Sequence, residues 1–158
     1  MNKLNKIAEQ IKESQLFKET WIDLLSKLRY LYLFYQTAHW ISKGKNYYGD
    51  HLLFERLYDE MGDEIDGVAE RAIGTTNEDC VNLKESISSF VTLDQSVEPY
   101  KSNMVQASIM LNQSLIDTLE EIDLGEHHTS GTRDMLNAIS SLHETHLYLL
   151  KQRAKELK

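Results

Sequence analysis

A chain of 158 residues with one proline and seven glycines has almost nothing in it to break a helix. Proline and glycine are the strongest interrupters of helical structure, and a fold built from many short strands and turns needs many of both. Long helices are therefore the default. The apolar residues agree with this. Trp21, Leu24, Leu25, Leu28, Leu31, Tyr32, Tyr35 and Ala38 recur at helical spacing, which predicts a first helix over 18–42. The stretch Lys43-Gly44-Lys45-Asn46 reads as a turn. A second helix is expected over 48–73, with His51, Phe54, Leu57, Tyr58, Met61, Ile65, Val68 and Ala72 towards its packing partners, and with Gly74 at its end. A short helix is expected over 81–90. A third long helix should span 96–124, with Pro99 tolerated in its first turn. A fourth should start at Thr129 or Ser130 as N-cap and run to Lys155, with Met135, Ile139, Leu142 and Leu149 in its stripe.

Four long amphipathic helices without a strand signal predict an all-α four-helix bundle. The connection between the second and third helices is the long one and carries the short helix. A crossover of that length is the connectivity of ferritin-like bundles. The chain is long enough for one domain, 1–158. Within it, residues 1–15 are expected to form an amphipathic segment, with Leu4, Ile7 and Ile11 at helical spacing, lying on the bundle.

Charge and cysteine content narrow the function. Seventeen basic residues against twenty-five acidic ones leave a net charge of −8, a poor starting point for a nucleic-acid binder, whose affinity rests on neutralising phosphates. No apolar run is long enough to span a bilayer, and no secretory signal is visible at the N-terminus. The single cysteine, Cys80, rules out an internal disulfide and fits a cytoplasmic protein.

The chemistry sits in one stretch: His39, His51, Glu55, Asp66 and Glu70. His51 and Glu55 are four apart and share a helix face, as do Asp66 and Glu70. His51 and Asp66 are fifteen apart, which on one helix is about 22 Å. Ligand bonds of about 2.0–2.2 Å cannot join both pairs to one ion. A site using all five must be closed by a second copy of the chain. A two-fold axis that pairs the second helices antiparallel brings the His39/His51/Glu55 end of one chain beside the Asp66/Glu70 end of the other, twice over. Imidazole and carboxylate without thiolate suit iron, zinc or manganese. Taken singly, such residues are ordinary surface or packing features. A ferritin-type site within one bundle needs Glu-x-x-His pairs, and the sequence has none.

The segment AHWISKGKNYYGDHLLFERLYDEMGDEIDGVAERAIG resembles the Dps family of ferritin-like mini-ferritins. The match runs through His39-Trp40, Gly44, His51 twelve after the first histidine, Glu55, Asp66 and Ala69-Glu70-Arg71. A weaker match continues through Leu124-Gly125-Glu126 and Thr132-Arg133-Asp134-Met135-Leu136. The resemblance implies a hollow shell of twelve subunits with di-iron ferroxidase sites at its two-fold interfaces. There Fe²⁺ is oxidised by hydrogen peroxide or oxygen, and ferric mineral is stored inside, limiting oxidative damage. It implies His39, His51 and Glu55 from one subunit and Asp66 and Glu70 from its two-fold partner, with Glu70 bridging. Trp40 would lie beside the site, and Glu126 and Asp134 near the three-fold iron entrance. The chain departs from the family in having Glu55 where aspartate is usual, and in carrying His127 and His128 in a loop that is commonly more acidic. It also lacks a long lysine-rich tail, which speaks against DNA binding. His143 and His146, three apart, could make a minor site, but the plainer expectation is that they are exposed or bond across an interface. Two alternatives remain at the level of sequence: a DNA-compacting protein with a vestigial site, and a zinc- or manganese-holding assembly without redox activity.

Overall fold

A computed structural model describes residues 3–76, 81–123 and 128–156. It contains six helices: α1 Lys3–Ile41, α2 Tyr47–Asp59, α3 Gly62–Thr76, α4 Leu83–Val97, α5 Met104–Asp123 and α6 Ser130–Lys155. No strand occurs among the described residues. The architecture is an all-α, ferritin-like four-helix bundle. Its second long helix is divided into α2 and α3, and the crossover between α3 and α5 carries α4 and a 3₁₀ turn, Glu98–Tyr100.

The first helix organises the bundle. Packed along it are α2, α3, α4 and α5, and α5 pairs in turn with α6. Its apolar stripe explains this. Trp21, Leu24, Leu25, Leu28, Leu31, Tyr35 and Ala38 are all buried, and facing them are Phe54, Leu57, Met61, Val68, Leu111, Leu115, Leu119, Leu136 and Leu150 in one core cluster. Each such side chain contributes about 1.5–3 kcal/mol by leaving water.

Several boundaries differ from expectation. The first helix runs unbroken from Lys3, so the N-terminal segment is its continuation rather than a separate helix, and Ile7 on it is exposed. The second helix is interrupted at Glu60 and Met61. There the Met61 amide bonds to Tyr58 O, three residues back, at 3.1 Å, a tightened turn that breaks the regular ladder. The crossover helix starts where Asn82 accepts from the amides of Lys84 (2.9 Å) and Glu85 (3.4 Å) and extends to Val97. Pro99 therefore falls in the 3₁₀ turn and not in the third long helix. That helix begins after Asn103, whose side chain accepts from the Gln106 amide at 3.1 Å. Thr129 caps α6 as expected, accepting from the Thr132 amide at 3.3 Å. The stop after the third long helix, Gly125, lies outside the described residues. In α6 the buried face is Leu136, Ile139, His143, His146, Leu147 and Leu150, while Leu142 and Leu149 are only half-buried.

Candidate metal centre

The turn between α1 and α2 brings two histidines into contact. It closes through Gly44, at φ +89°, a conformation that glycine adopts without strain. His39, in the last turn of α1, and His51, near the start of α2, stack with ring centroids 3.6 Å apart and planes 20° from parallel. Their backbones lock the pair. His39 Nδ1 donates to His51 O at 2.8 Å, and His51 Nδ1 donates to His39 O at 3.0 Å. A carbonyl only accepts, so each Nδ1 carries the hydrogen, and in the neutral ring each Nε2 keeps the lone pair that a metal requires. A backbone carbonyl holding the far nitrogen is how ligating histidines are commonly oriented. Tyr58 meets His39 edge-on at 5.5 Å, and Tyr47 stacks on His51 at 5.3 Å. Glu55 follows one turn after His51 and is half-buried.

The start of α2 is also tied to the end of α6. Arg153 grips Asp50 with both ends of its fork, Nε to Oδ1 at 2.5 Å and Nη2 to Oδ2 at 3.1 Å, a bidentate pair of the stronger kind. Asp50 is the residue before His51, so this clamp sets where the histidine-bearing turn lies.

Asp66 and Glu70 lie on α3, beyond the break, and both are exposed. Among the described residues, no three His, Cys, Asp or Glu side chains gather closely enough within this chain to hold a metal ion. The structure thus joins His39 with His51 and leaves Asp66 and Glu70 on a separate, solvent-facing segment. Trp40, beside His39, is 65% exposed, and Tyr47, Tyr48 and Leu52 on the same hairpin are exposed as well. Asp134 is exposed on α6, whereas Glu126 and His127 lie outside the described residues. His128 is occupied in packing. Its ring lies 5.3 Å from Phe17 and 5.9 Å from Trp21, and its Nε2 donates to Ile122 O at 3.0 Å.

A second polar cluster lies inside the bundle. His143 and His146 are neither exposed nor at an outer face; both are fully buried. His143 Nε2 faces Glu64 Oε2 at 3.2 Å, and His146 Nε2 bonds Glu60 Oε2 at 2.8 Å. Asn112 Oδ1 receives His143 Nδ1 at 2.7 Å and the Tyr35 hydroxyl at 3.3 Å, while Asn112 Nδ2 donates to His143 O at 2.6 Å. Burial holds His146 below the usual imidazole range and Tyr35 above the usual phenol range. The bond from His146 lowers Glu60. One signal was present in the sequence. Residues 139, 143, 146 and 150, and residues 57, 61, 64 and 68, fall at alternating spacings of four and three. That places the histidines and Glu64 on the core-facing stripe.

Comparison with known proteins agrees with this architecture. No family model matches the chain. General stress protein 20U of Bacillus subtilis (strain 168) is 29% identical over 125 residues, covering 77% of this chain and 85% of that protein. The DNA protection during starvation protein of Listeria monocytogenes is 28% identical over 122 residues, covering 72% and 75%. Among solved structures, a variant of Listeria innocua Dps superposes with a TM-score of 0.73 at 21% identity, over 88% of this chain and 94% of that one. The Vibrio cholerae O1 Dps protein gives 0.72 at 20% identity, over 90% and 91%. The chain is similar in sequence to these stress and starvation proteins, and its fold is that of the Dps structures. The Vibrio Dps protein, which shares this fold, is described as one of the ferritin-like diiron-carboxylate proteins. Among the described residues, no helix is long and apolar enough to cross a membrane.

Proposed function

We propose that this chain is an iron-oxidising and iron-storing mini-ferritin of the cytoplasm. Its ferroxidase sites form between two-fold partners in a shell of twelve subunits. His39, His51 and Glu55 of one subunit and Asp66 and Glu70 of its partner hold Fe²⁺, which is substrate and cargo. Hydrogen peroxide, or oxygen, accepts the electrons. One peroxide takes one electron from each of two Fe²⁺ ions, its O–O bond breaks, and the oxygens leave as hydroxide or water. The ferric product is kept inside as mineral, so both reagents of hydroxyl-radical chemistry are removed together.

The observation that carries this is the reciprocal bonding of His39 and His51. It leaves both rings presenting Nε2 on one locked hairpin, with Glu55 one turn on, and among the described residues no group of three ligands finishes the site within the chain. Such a half-site supports completion by a neighbour. Imidazoles fix the ions, and the carboxylates offset their charge and tune them towards the ferric state. The relatives' names refer to DNA protection. A net charge of −8, with Arg153 engaged by Asp50, favours protection through iron removal over direct contact with DNA.

Mixing variants tests the arrangement. His39→Ala chains and Asp66→Ala chains should each assemble yet oxidise Fe²⁺ slowly. Co-assembled from an equal mixture of unfolded chains, they regain about a quarter of the wild-type sites, because each mixed dimer has one site with both lesions and one intact. Absence of any regain, with mixed dimers verified by mass spectrometry, contradicts a shared site.

A further inference from the structure

We propose that Glu64, His143 and His146 form a second, intrachain site for a divalent first-row transition-metal ion in the bundle interior, with Asn112 and Glu60 holding the two rings. This stands independently of the ferroxidase proposal, since it uses none of the same residues.

The first support is a mismatch of donors and acceptors. The Asn112 amide is oriented by its Nδ2, which donates to His143 O, so Oδ1 is the acceptor and His143 Nδ1 carries the hydrogen. The neutral ring then has a lone pair on Nε2, and that lone pair faces the Glu64 carboxylate at 3.2 Å. Two acceptors do not face each other in a buried site without something positive between them, a proton or a cation.

The second support comes from His146. Its Nε2 must carry hydrogen to bond the Glu60 carboxylate, which leaves Nδ1 as a bare acceptor. That atom is buried and has no hydrogen-bond partner. A histidine with one nitrogen held by a carboxylate and the other free is the arrangement of the carboxylate–histidine–metal triad.

Geometry and charge fit one ion. The two rings lie 5.1 Å apart, centroid to centroid, at 76°. Two imidazoles on one metal, with bonds of about 2.0–2.1 Å, have centroids roughly 4.5–5.3 Å apart. Glu64, with its side chain 11% exposed, offers the ion a negative charge, while Glu60, which also pairs with Arg56 at 3.3 Å, holds the His146 ring. Two histidines and one carboxylate are a familiar set for such metals. The three groups do not form a finished site in this structure, so loading moves the Glu64 carboxylate while Asn112 and Glu60 keep the two rings in place. They meet at the break between α2 and α3, where the helix ladder is already interrupted.

Cobalt(II) chloride is the probe, because bound Co²⁺ reports its ligands through visible absorption. Titration is made into the assembled His39→Ala/Asp66→Ala protein, in which the inter-subunit site is disabled. We expect one tightly held Co²⁺ per chain, read by calorimetry and by d–d bands. Glu64→Gln is the decisive variant, since its amide N–H can donate to His143 Nε2 and keep the interior bonded. It should weaken Co²⁺ binding by more than the roughly 10–100-fold expected for loss of an outer partner. His143→Gln/His146→Gln should abolish the bands. If that variant fails to fold, Glu64→Gln alone decides. Absence of a bound Co²⁺ equivalent in the parent, or unchanged affinity in Glu64→Gln, overturns the proposal.

Discussion

Asn112 is completely buried, and its side chain meets the carbonyl and ring of His143 and the hydroxyl of Tyr35. It joins α5 to α6 and α1 through polar contacts inside the bundle. Replacing it with alanine strands two donors and one acceptor away from water. Each unsatisfied group costs about 1–3 kcal/mol, with losses that do not add in full within one network. Asn112→Ala should therefore lower stability by about 3 kcal/mol, measured as the shift in urea midpoint at fixed protein concentration. A loss below about 1 kcal/mol would mean that water enters and replaces the amide.

At the level of elements, α4 is attached to the bundle through few polar contacts. Asp94 on α4 accepts from the Tyr30 hydroxyl of α1 at 3.0 Å and from Lys101, just after the 3₁₀ turn, at 3.1 Å. Lys101 also bonds Glu98. The bond from Lys101, followed by that from Tyr30, holds the Asp94 carboxyl below the usual range. A carboxyl lowered on folding contributes stability above its unfolded value, about pH 3.9. That contribution is lost as pH falls through the lower folded value. Because Asp94 is half exposed, Asp94→Ala should cost no more than about 1 kcal/mol at neutral pH. Thermal midpoints of the two proteins should converge as pH falls through the lowered folded value of Asp94. A gap that persists unchanged in acid would assign the effect to packing instead. The other side of α4 carries Leu83, Ile87 and Val91, all exposed.

For the molecule as a whole, the His39/His51 hairpin combines locked imidazoles with exposed aromatic groups. Trp21 is 1% exposed and Trp40 is 65% exposed. A large exposed indole among Tyr47, Tyr48 and Leu52 is the composition of a surface that another chain covers. If two-fold pairing covers it, tryptophan emission should shift to the blue as subunits associate. Nearly all of that shift should vanish in Trp40→Phe. Fluorescence and sedimentation followed together over a dilution series check this. An emission maximum independent of oligomeric state would place Trp40 outside the interface.

Local periodicity determined much of this protein. The scarcity of breakers, the stripe from Trp21 to Ala38, the cap at Thr129 and the spacing of His39, His51 and Glu55 are properties of short segments, and each survives into the structure. The proposal of a second subunit likewise starts from the rise of a helix, because His51 and Asp66 are too far apart along one. What periodicity could not settle depends on residues distant in the chain. His143 and His146 meet Glu64 and Glu60 across 79 and 86 residues, and no local pattern reveals whether a histidine on a helix finds such a partner or faces water. The break at Glu60 and Met61 and the locking of His39 against His51 are likewise decided by packing. A buried polar group is tolerated only where the folded chain brings it a partner, and that pairing exists only once the helices have been assembled.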